Sequence, residues 1–344
     1  MALSERRSSI LRFIVDDYVA SAQPVGSQSL VSRHDLKLSS ATVRNEMAAL
    51  ENEGMITHRH TSAGRFPSSR GYRYYVSSLM DERELSRKEQ MTILHQFHQS
   101  SRELEDWVKL ATSVLAHSLN SVGLATQPTV NDIHLKHLQL VEVSETRTLL
   151  VVVTSDAKVH QHTLEFASAA SQEQLSGIAA RLSSEFSGCR ASEIAEKKAD
   201  ESRTELETFI IANVANLLIS EEVSSVEVPT IDGISELLRQ PEFEHGEKVL
   251  DTLEAVDERR LRDAIPSEAL NTSGDVAIVI GDESDQSPYR NMSFVLTRYG
   301  SKDGPSGVLG ILGPTRLPYG DAVSHVRYVR DLLSELLRQF YGEA

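Results

Sequence analysis

Apolar residues recur at three- and four-residue intervals over 4–21. Ile10, Leu11, Ile14, Val15 and Tyr18 fall on one side, which predicts a helix capped by Ser4. Pro24-Val25-Gly26 interrupts it, a short helix follows over 27–34 with Gly26 or Ser27 as its cap, and Asp35 to Leu38 turn the chain. Ser39 and Ser40 then offer hydroxyls to the orphan amides of a third helix. Val43, Met47 and Leu50 form its apolar face, Thr42, Arg44, Asn45 and Ala49 point away from that face, and Gly54 stops it. Met55-Ile56 and the basic, Gly-tipped segment HRHTSAGRFP predict a hairpin. Short helix, tight turn, capped helix and hairpin make a winged helix-turn-helix over 1–76.

Residues 77–86, with Asp81, Glu82, Arg83 and Glu84, read as a linker. One long helical region is expected over 87–123, striped by Leu94, Phe97, Leu104, Val108, Ala111, Leu115 and Val122, with a break at Ser100-Ser101. The period then falls to two, and strands are predicted over 134–143, 147–154 and 158–164. Helices follow over 171–187, 191–200 and 203–219. The last is striped by Leu206, Phe209, Ile210, Val214 and Leu217, a face for a core or for a dimer. A strand over 223–229 and helices near 234–240, 246–255 and 258–265 come next. Strands over 275–281, 292–299 and 306–313 and a helix over 321–341, striped by Val326, Val329, Leu333, Leu336, Leu337 and Phe340, close the chain. Three strands, a helical interruption, three strands and a helix predict an α+β domain carrying an insertion.

Charge changes the picture of the first segment. The whole chain, 344 residues with a net charge of -15, disfavours nucleic acid. Residues 1–76, however, hold ten Lys/Arg against seven Asp/Glu, a net of +3, and the remainder holds 25 against 43, a net of -18. A basic head on an acidic body is the asymmetry expected when one domain docks on phosphates. In a winged head the third helix lies in the major groove. Arg44 can donate two hydrogen bonds to guanine, Asn45 can pair with an adenine edge, and Ser40 and Thr42 suit phosphate or base contacts. Thr61, Ser62 and Arg65 in the wing can reach phosphates or the minor groove, Gly64 lets the backbone approach closely, and Arg70 and Arg73 extend the basic run. The bland alternative for Arg44 and Asn45 is a solvated helix face.

Other chemistry finds little support. Gly307, Gly310 and Gly313 imitate a phosphate loop without its Lys-Ser/Thr ending, and they lie in a strand. Asp282, Glu283 and Asp285 have no EF-hand spacing and read as a solvated loop. His58, His60, His95, His98, His134, His137, His160 and His162 read as surface rather than metal ligands, and Cys189, the single cysteine, as a buried small residue. No cofactor or metal is expected. No segment is long and apolar enough to span a membrane and the first ten residues hold no signal core, so a cytoplasmic protein is expected.

GSQSL, SSATVRNEMAALENEG, HTSAGRFP and GYRYYV, together with VAIVIGDES, MSFVLTRYG and GVLGILGPTRLPYG toward the far end, closely resemble the HrcA family of heat-inducible transcription repressors. That resemblance implies a GAF-like α+β domain in two parts, 87–168 and 233–344, interrupted by a mainly helical dimerisation insertion at 169–232. It also implies a non-enzymatic repressor of chaperone genes that binds an inverted-repeat operator in double-stranded DNA as a homodimer. A GroEL-type chaperonin would help it fold into its active form. Two alternatives stand beside this. One is a winged-helix regulator that senses a metabolite through the GAF-like domain. The other is an enzyme with an accessory DNA head, for which residues 125–344 offer no converging polar constellation.

Overall fold

Ser4 accepts a hydrogen bond from the Arg7 amide and opens helix α1 (Glu5–Ser21), which buries Ile10, Leu11, Ile14 and Val15. The computed structural model describes residues 3–58, 64–81, 83–100, 103–129, 133–144, 146–155, 157–166, 169–197, 203–224, 228–243, 246–266, 276–284, 286–301 and 304–341. They form two compact units, one of Met1–Pro128, Glu227–Ser301 and Gly307–Ala344, the other of Thr129–Val226 and Lys302–Ser306.

The first unit begins with α1, α2 (Ser27–Arg33) and α3 (Ser40–Asn52). Ser39 caps α3, its Oγ accepting from the Thr42 amide at 3.1 Å, and Val43, Met47 and Leu50 are buried as their spacing requires. Strands β1 (Ile56–Thr57) and β2 (Phe66–Pro67) pair antiparallel, Ile56 opposite Pro67. A short helix α4 (Ser69–Tyr74), capped by Ser68, runs on as a wide π turn over Tyr75–Leu79, where the sequence suggested no helix. Gly71 lets α4 sit on the chain before the hairpin: a Cβ there would lie 2.0 Å from the Met55 carbonyl oxygen.

The helical region expected over 87–123 is two helices, α5 (Arg87–Gln99) and α6 (Leu104–Leu119), and α5 ends on Ser100, where the sequence marks a break. Asn120 turns into the left-handed conformation at φ 47°, and Val122 opens strand β3 (Val122–Ala125) instead of continuing the helical stripe.

The second unit holds β4 (Leu135–Ser144), β5 (Arg147–Thr154) and β6 (Val159–Glu165) in an antiparallel sheet with β5 in the middle. Leu138, Leu140, Leu150, Val152 and Leu164 share one core with α7 (Gln172–Phe186), α8 (Ala191–Glu196) and α9 (Glu205–Ser224). The buried face of α9 is Ile210, Ile211, Val214, Ala215 and Leu218, rotated from the expected stripe so that Phe209 is exposed, edge-on to Phe166. The strand expected over 223–229 is displaced: α9 runs to Ser224, and the strand that follows starts at Thr230. Cys189 is half-buried rather than buried.

Returning to the first unit, the chain forms β7 (Thr230–Asp232), α10 (Ile234–Leu238), α11 (Gly246–Ala255), α12 (Glu258–Ala264), β8 (Val276–Ile280), β9 (Met292–Gly300), β10 (Ser306–Pro314) and α13 (Tyr319–Tyr341). Its sheet has the order β7-β3-β10-β9-β8. Gly123 stands opposite Asp232, Leu309 opposite Ala125 and Val276 opposite Thr297, all antiparallel. The apolar runs of β9 and β10 are buried almost throughout, and α13 covers the sheet with Val326, Val329, Leu333 and Leu337. Phe340, the last of its expected stripe, is exposed and meets Trp107 edge-on.

The protein is therefore α+β, as expected, but its strands divide differently. The sequence reading grouped 134–164 with the closing strands and placed the insertion at 169–232. In the structure those strands pair only with one another among the described residues and pack with α7 to α9, and the closing strands pair with β3 and β7. Period-two patterning locates strands but says nothing about their partners. Among the described residues no helix is long and apolar enough to cross a membrane.

Candidate nucleic-acid interface

Helix α3 decides which side chains face outward. With Val43, Met47 and Leu50 turned inward, Arg44 and Asn45 are exposed in its first two turns. Neither makes a hydrogen bond or ion pair with any described residue. Ser40, the first residue of α3, is half-buried. Ser39 alone is the N-cap, and its Oγ also lies 2.9 Å from the Thr42 hydroxyl, so Thr42 is partly committed to the cap. Thr61 and Ser62 lie outside the described residues.

The wing is organised from inside. The Val25 amide donates to the Arg65 carbonyl at 2.8 Å and the Arg65 amide to the Val25 carbonyl at 2.9 Å, a bridge between hairpin and the α1–α2 connection. A Cβ on Gly64 would lie 2.6 Å from the Pro24 carbonyl carbon, so its missing side chain serves this packing within the head. Arg65 donates Nε to Glu51 Oε2 at 2.9 Å, its Nη2 lies 2.8 Å from the same oxygen in an ion pair, and His58 binds the other oxygen through Nδ1. Burial alone would raise the Glu51 carboxyl. The hydrogen bonds from His58 and Arg65 outweigh it and hold that carboxyl below its ordinary range. Glu51 thus fixes the base of the wing to the last turn of α3. Sequence reasoning missed it, because nothing local pairs positions 51, 58 and 65.

Arg70 and Arg73 part company on α4. Arg70 is exposed, with no partner among the described residues. Arg73 donates Nε to Glu283 Oε1 at 2.6 Å and Nη2 to the Ile278 carbonyl at 2.6 Å. Ser69 donates to Asp282 Oδ2 at 2.9 Å. The stretch expected to be a solvated acidic loop therefore holds α4 against the end of β8. Lys37, in the turn before α3, is a further exposed cation without a described partner, and the sequence reading passed over it. Arg33 pairs with Asp17 at 3.3 Å, and Arg7 reaches Glu46 at 3.0 Å and Glu53 at 2.6 Å. Arg44, Arg70 and Lys37 are thus uncommitted, whereas Arg65, Arg73, Arg33 and Arg7 have carboxylate partners. Among the described residues no group of His, Cys, Asp and Glu is arranged to hold a metal.

Residues 105–323 match the family described as HrcA protein C terminal domain. The chain is 40% identical over 348 residues to the heat-inducible transcription repressor HrcA of Roseiflexus castenholzii, covering 99% of this chain and 96% of that one. To the protein of the same name from Herpetosiphon aurantiacus it is 38% identical over 348 residues, covering 100% and 98%. For that from Dehalococcoides mccartyi the identity is 33% over 341 residues, covering 99% and 98%. A crystal structure of a hypothetical protein aligns with a TM-score of 0.59 at 22% identity over 98% of this chain and 99% of that one, and so shares the fold. These named relatives are transcription repressors, which are not enzymes. Matched through its body by a family domain and from end to end by such relatives, the chain belongs to the HrcA family of heat-inducible transcription repressors.

Proposed function

We propose that the chain represses heat-shock, chaperone-type genes by binding an inverted-repeat operator as a homodimer, with an activity that depends on a chaperonin. One observation carries the DNA reading: capped helix α3 presents Arg44 and Asn45, exposed and uncommitted, beside a two-stranded wing. Arg and Asn at adjacent positions early in a groove-reading helix suit bidentate recognition of guanine and adenine edges. Arg70 and Lys37 are available to phosphates. Arg65 has Nη1 hydrogens without a described partner and can reach a phosphate while Glu51 holds the rest of its guanidinium. Arg73 contributes to DNA only if Glu283 releases it. Thr61, Ser62 and the Gly64 backbone would follow the wing.

Two-fold operators go with two-fold proteins, and one head offers too few contacts for tight specific binding, so a second tethered head is required. The unit of β4–β6 and α7–α9 is the proposed dimerisation element, with the sheet of β7, β3, β10, β9 and β8 as the proposed GAF-like body. Repression follows from occupancy of promoter DNA. Chaperonin dependence follows if the repressor fold is only marginally stable, because heat then diverts the chaperonin to other clients. The experiment is selection of genomic fragments by the purified chain with and without chaperonin. Inverted repeats upstream of chaperone genes, enriched more strongly with chaperonin, are expected. Enrichment elsewhere, or none in either condition, overturns the reading.

A further inference from the structure

The first unit holds a cavity of about 780 Å³, walled by residues 83–86, by α5, by the second half of α6 and by the start of α13. None of its described lining residues belongs to the sheet. Leu85, Ile93, Leu110, Val114 and Leu119 give it apolar walls, and three of them, Ile93, Val114 and Leu119, are buried. The rim carries charges of both signs, Arg83 and Lys88 with Glu84 and Asp321, all exposed. Glu89 is spent on the first turn of α5, where its carboxylate accepts from the Ser86 amide at 2.9 Å.

One buried group in this cavity is only half used. His325 on α13 lines the cavity and is 8% exposed. Its Nδ1 lies 2.8 Å from the Asp321 carbonyl, and a carbonyl only accepts, so Nδ1 carries a hydrogen and donates it. In the neutral ring Nε2 is then an acceptor. Nε2 has no hydrogen-bond partner among the described residues, and unlike the sealed Tyr72 hydroxyl it keeps surface open to the cavity. A buried acceptor set among apolar walls calls for a hydrogen-bond donor that is itself mostly apolar. The mixed charges of the rim favour neither a cation nor an anion. The space lies within the range of ~300–1,000 Å³ typical of small-molecule sites, and it far exceeds the ~30 Å³ that one water occupies in the liquid.

We propose that this cavity binds an uncharged, largely apolar small molecule that carries one hydroxyl or N–H donor, of the phenol or indole kind. The donor hydrogen goes to His325 Nε2, and the apolar body lies against Ile93, Leu110, Val114 and Leu119. Residues 83–86 lead from the head into α5, and they are already tied to α13: the Ser324 hydroxyl donates to the Arg83 carbonyl, and the Tyr328 hydroxyl to the Gln90 carbonyl at 3.0 Å. A molecule touching this connection, α5, α6 and α13 together stabilises the arrangement in which they are packed. The proposal makes no use of the DNA reading, and no DNA enters its test.

The full chain is titrated calorimetrically near neutral pH with indole and 2-naphthol, and with 1-methylindole and 2-methoxynaphthalene, which keep the rings and lack the donor hydrogen. The anion 2-naphthoate is the charged control, and Tm is followed in parallel. The expected result is saturable binding of indole or 2-naphthol, one per chain, with a matching rise in Tm. The methylated partner and 2-naphthoate bind about tenfold more weakly. His325→Asn keeps an N–H for the Asp321 carbonyl and removes Nε2, so in it the donor loses its advantage over the methylated partner. A purely structural role for His325 would leave that advantage in place. If His325→Asn fails to fold, the comparison of donor and methylated compound on the parent chain still decides. Absence of saturable binding by both donors, equal binding of the methylated compounds, tighter binding of 2-naphthoate, or a parental donor advantage in folded His325→Asn overturns the proposal.

Discussion

Arg44 and Arg65 are both arginines of the head, yet their surroundings assign them different work. Arg44 stands free on α3, so its energy is spent on whatever it meets; Arg65 is held by Glu51 at the wing. Arg44→Ala should weaken operator binding by ~1–3 kcal/mol and relax base preference at one position, read by anisotropy titration against single-base operator variants. Arg65→Ala should lower affinity across all sequences and flatten the salt dependence by about one charge, and an unchanged slope would remove Arg65 from the phosphate contacts. Glu51 gives a pH test with a definite sign. Its carboxyl is held below the ordinary value in the folded chain, so its contribution is full above the unfolded carboxylate range and fades as pH falls through the lowered value. Urea titrations should show Glu51→Gln less stable than the parent at pH ~7, with the gap closing in acid.

Helices α1 and α3 were legible because everything that defines them is local: a serine cap, an apolar stripe and a stop within a few turns. Ser39→Ala should therefore cost ~1 kcal/mol in chemical denaturation, while Ser40→Ala, outside the cap, should cost much less. The elements that were misread are those set by distant neighbours. Val122 fits a helical stripe, but a left-handed Asn120 and the pairing of Gly123 with Asp232 make it a strand. Phe209 fits the α9 stripe, but the buried face, which shares one core with β4–β6, α7 and α8, is centred on Ile210, Ile211 and Val214. The same division runs through the candidate site. Arg44 and Asn45 could be read from the helix period, whereas the partners of Arg65 and Arg73 lie 14 and 210 positions away, beyond any local pattern.

Across the first unit, the head is fastened to the body by polar clasps: Arg73 on Glu283 and Ile278, Ser69 on Asp282, and Arg316 reaching the Val19 carbonyl. Glu283→Ala should loosen α4, at a cost of about 1 kcal/mol for so exposed a pair, with faster amide exchange over 69–79 and little change over β4–β6. The proposal that the chain reads DNA rests on family membership and the presentation of α3, and it is tested by selecting bound duplexes from a randomised pool with the parent and with Arg44→Ala. The parent should enrich an inverted repeat, and Arg44→Ala should lose preference at one base pair in each half-site. A pool without an enriched repeat, or the same preferences from Arg44→Ala, would contradict it.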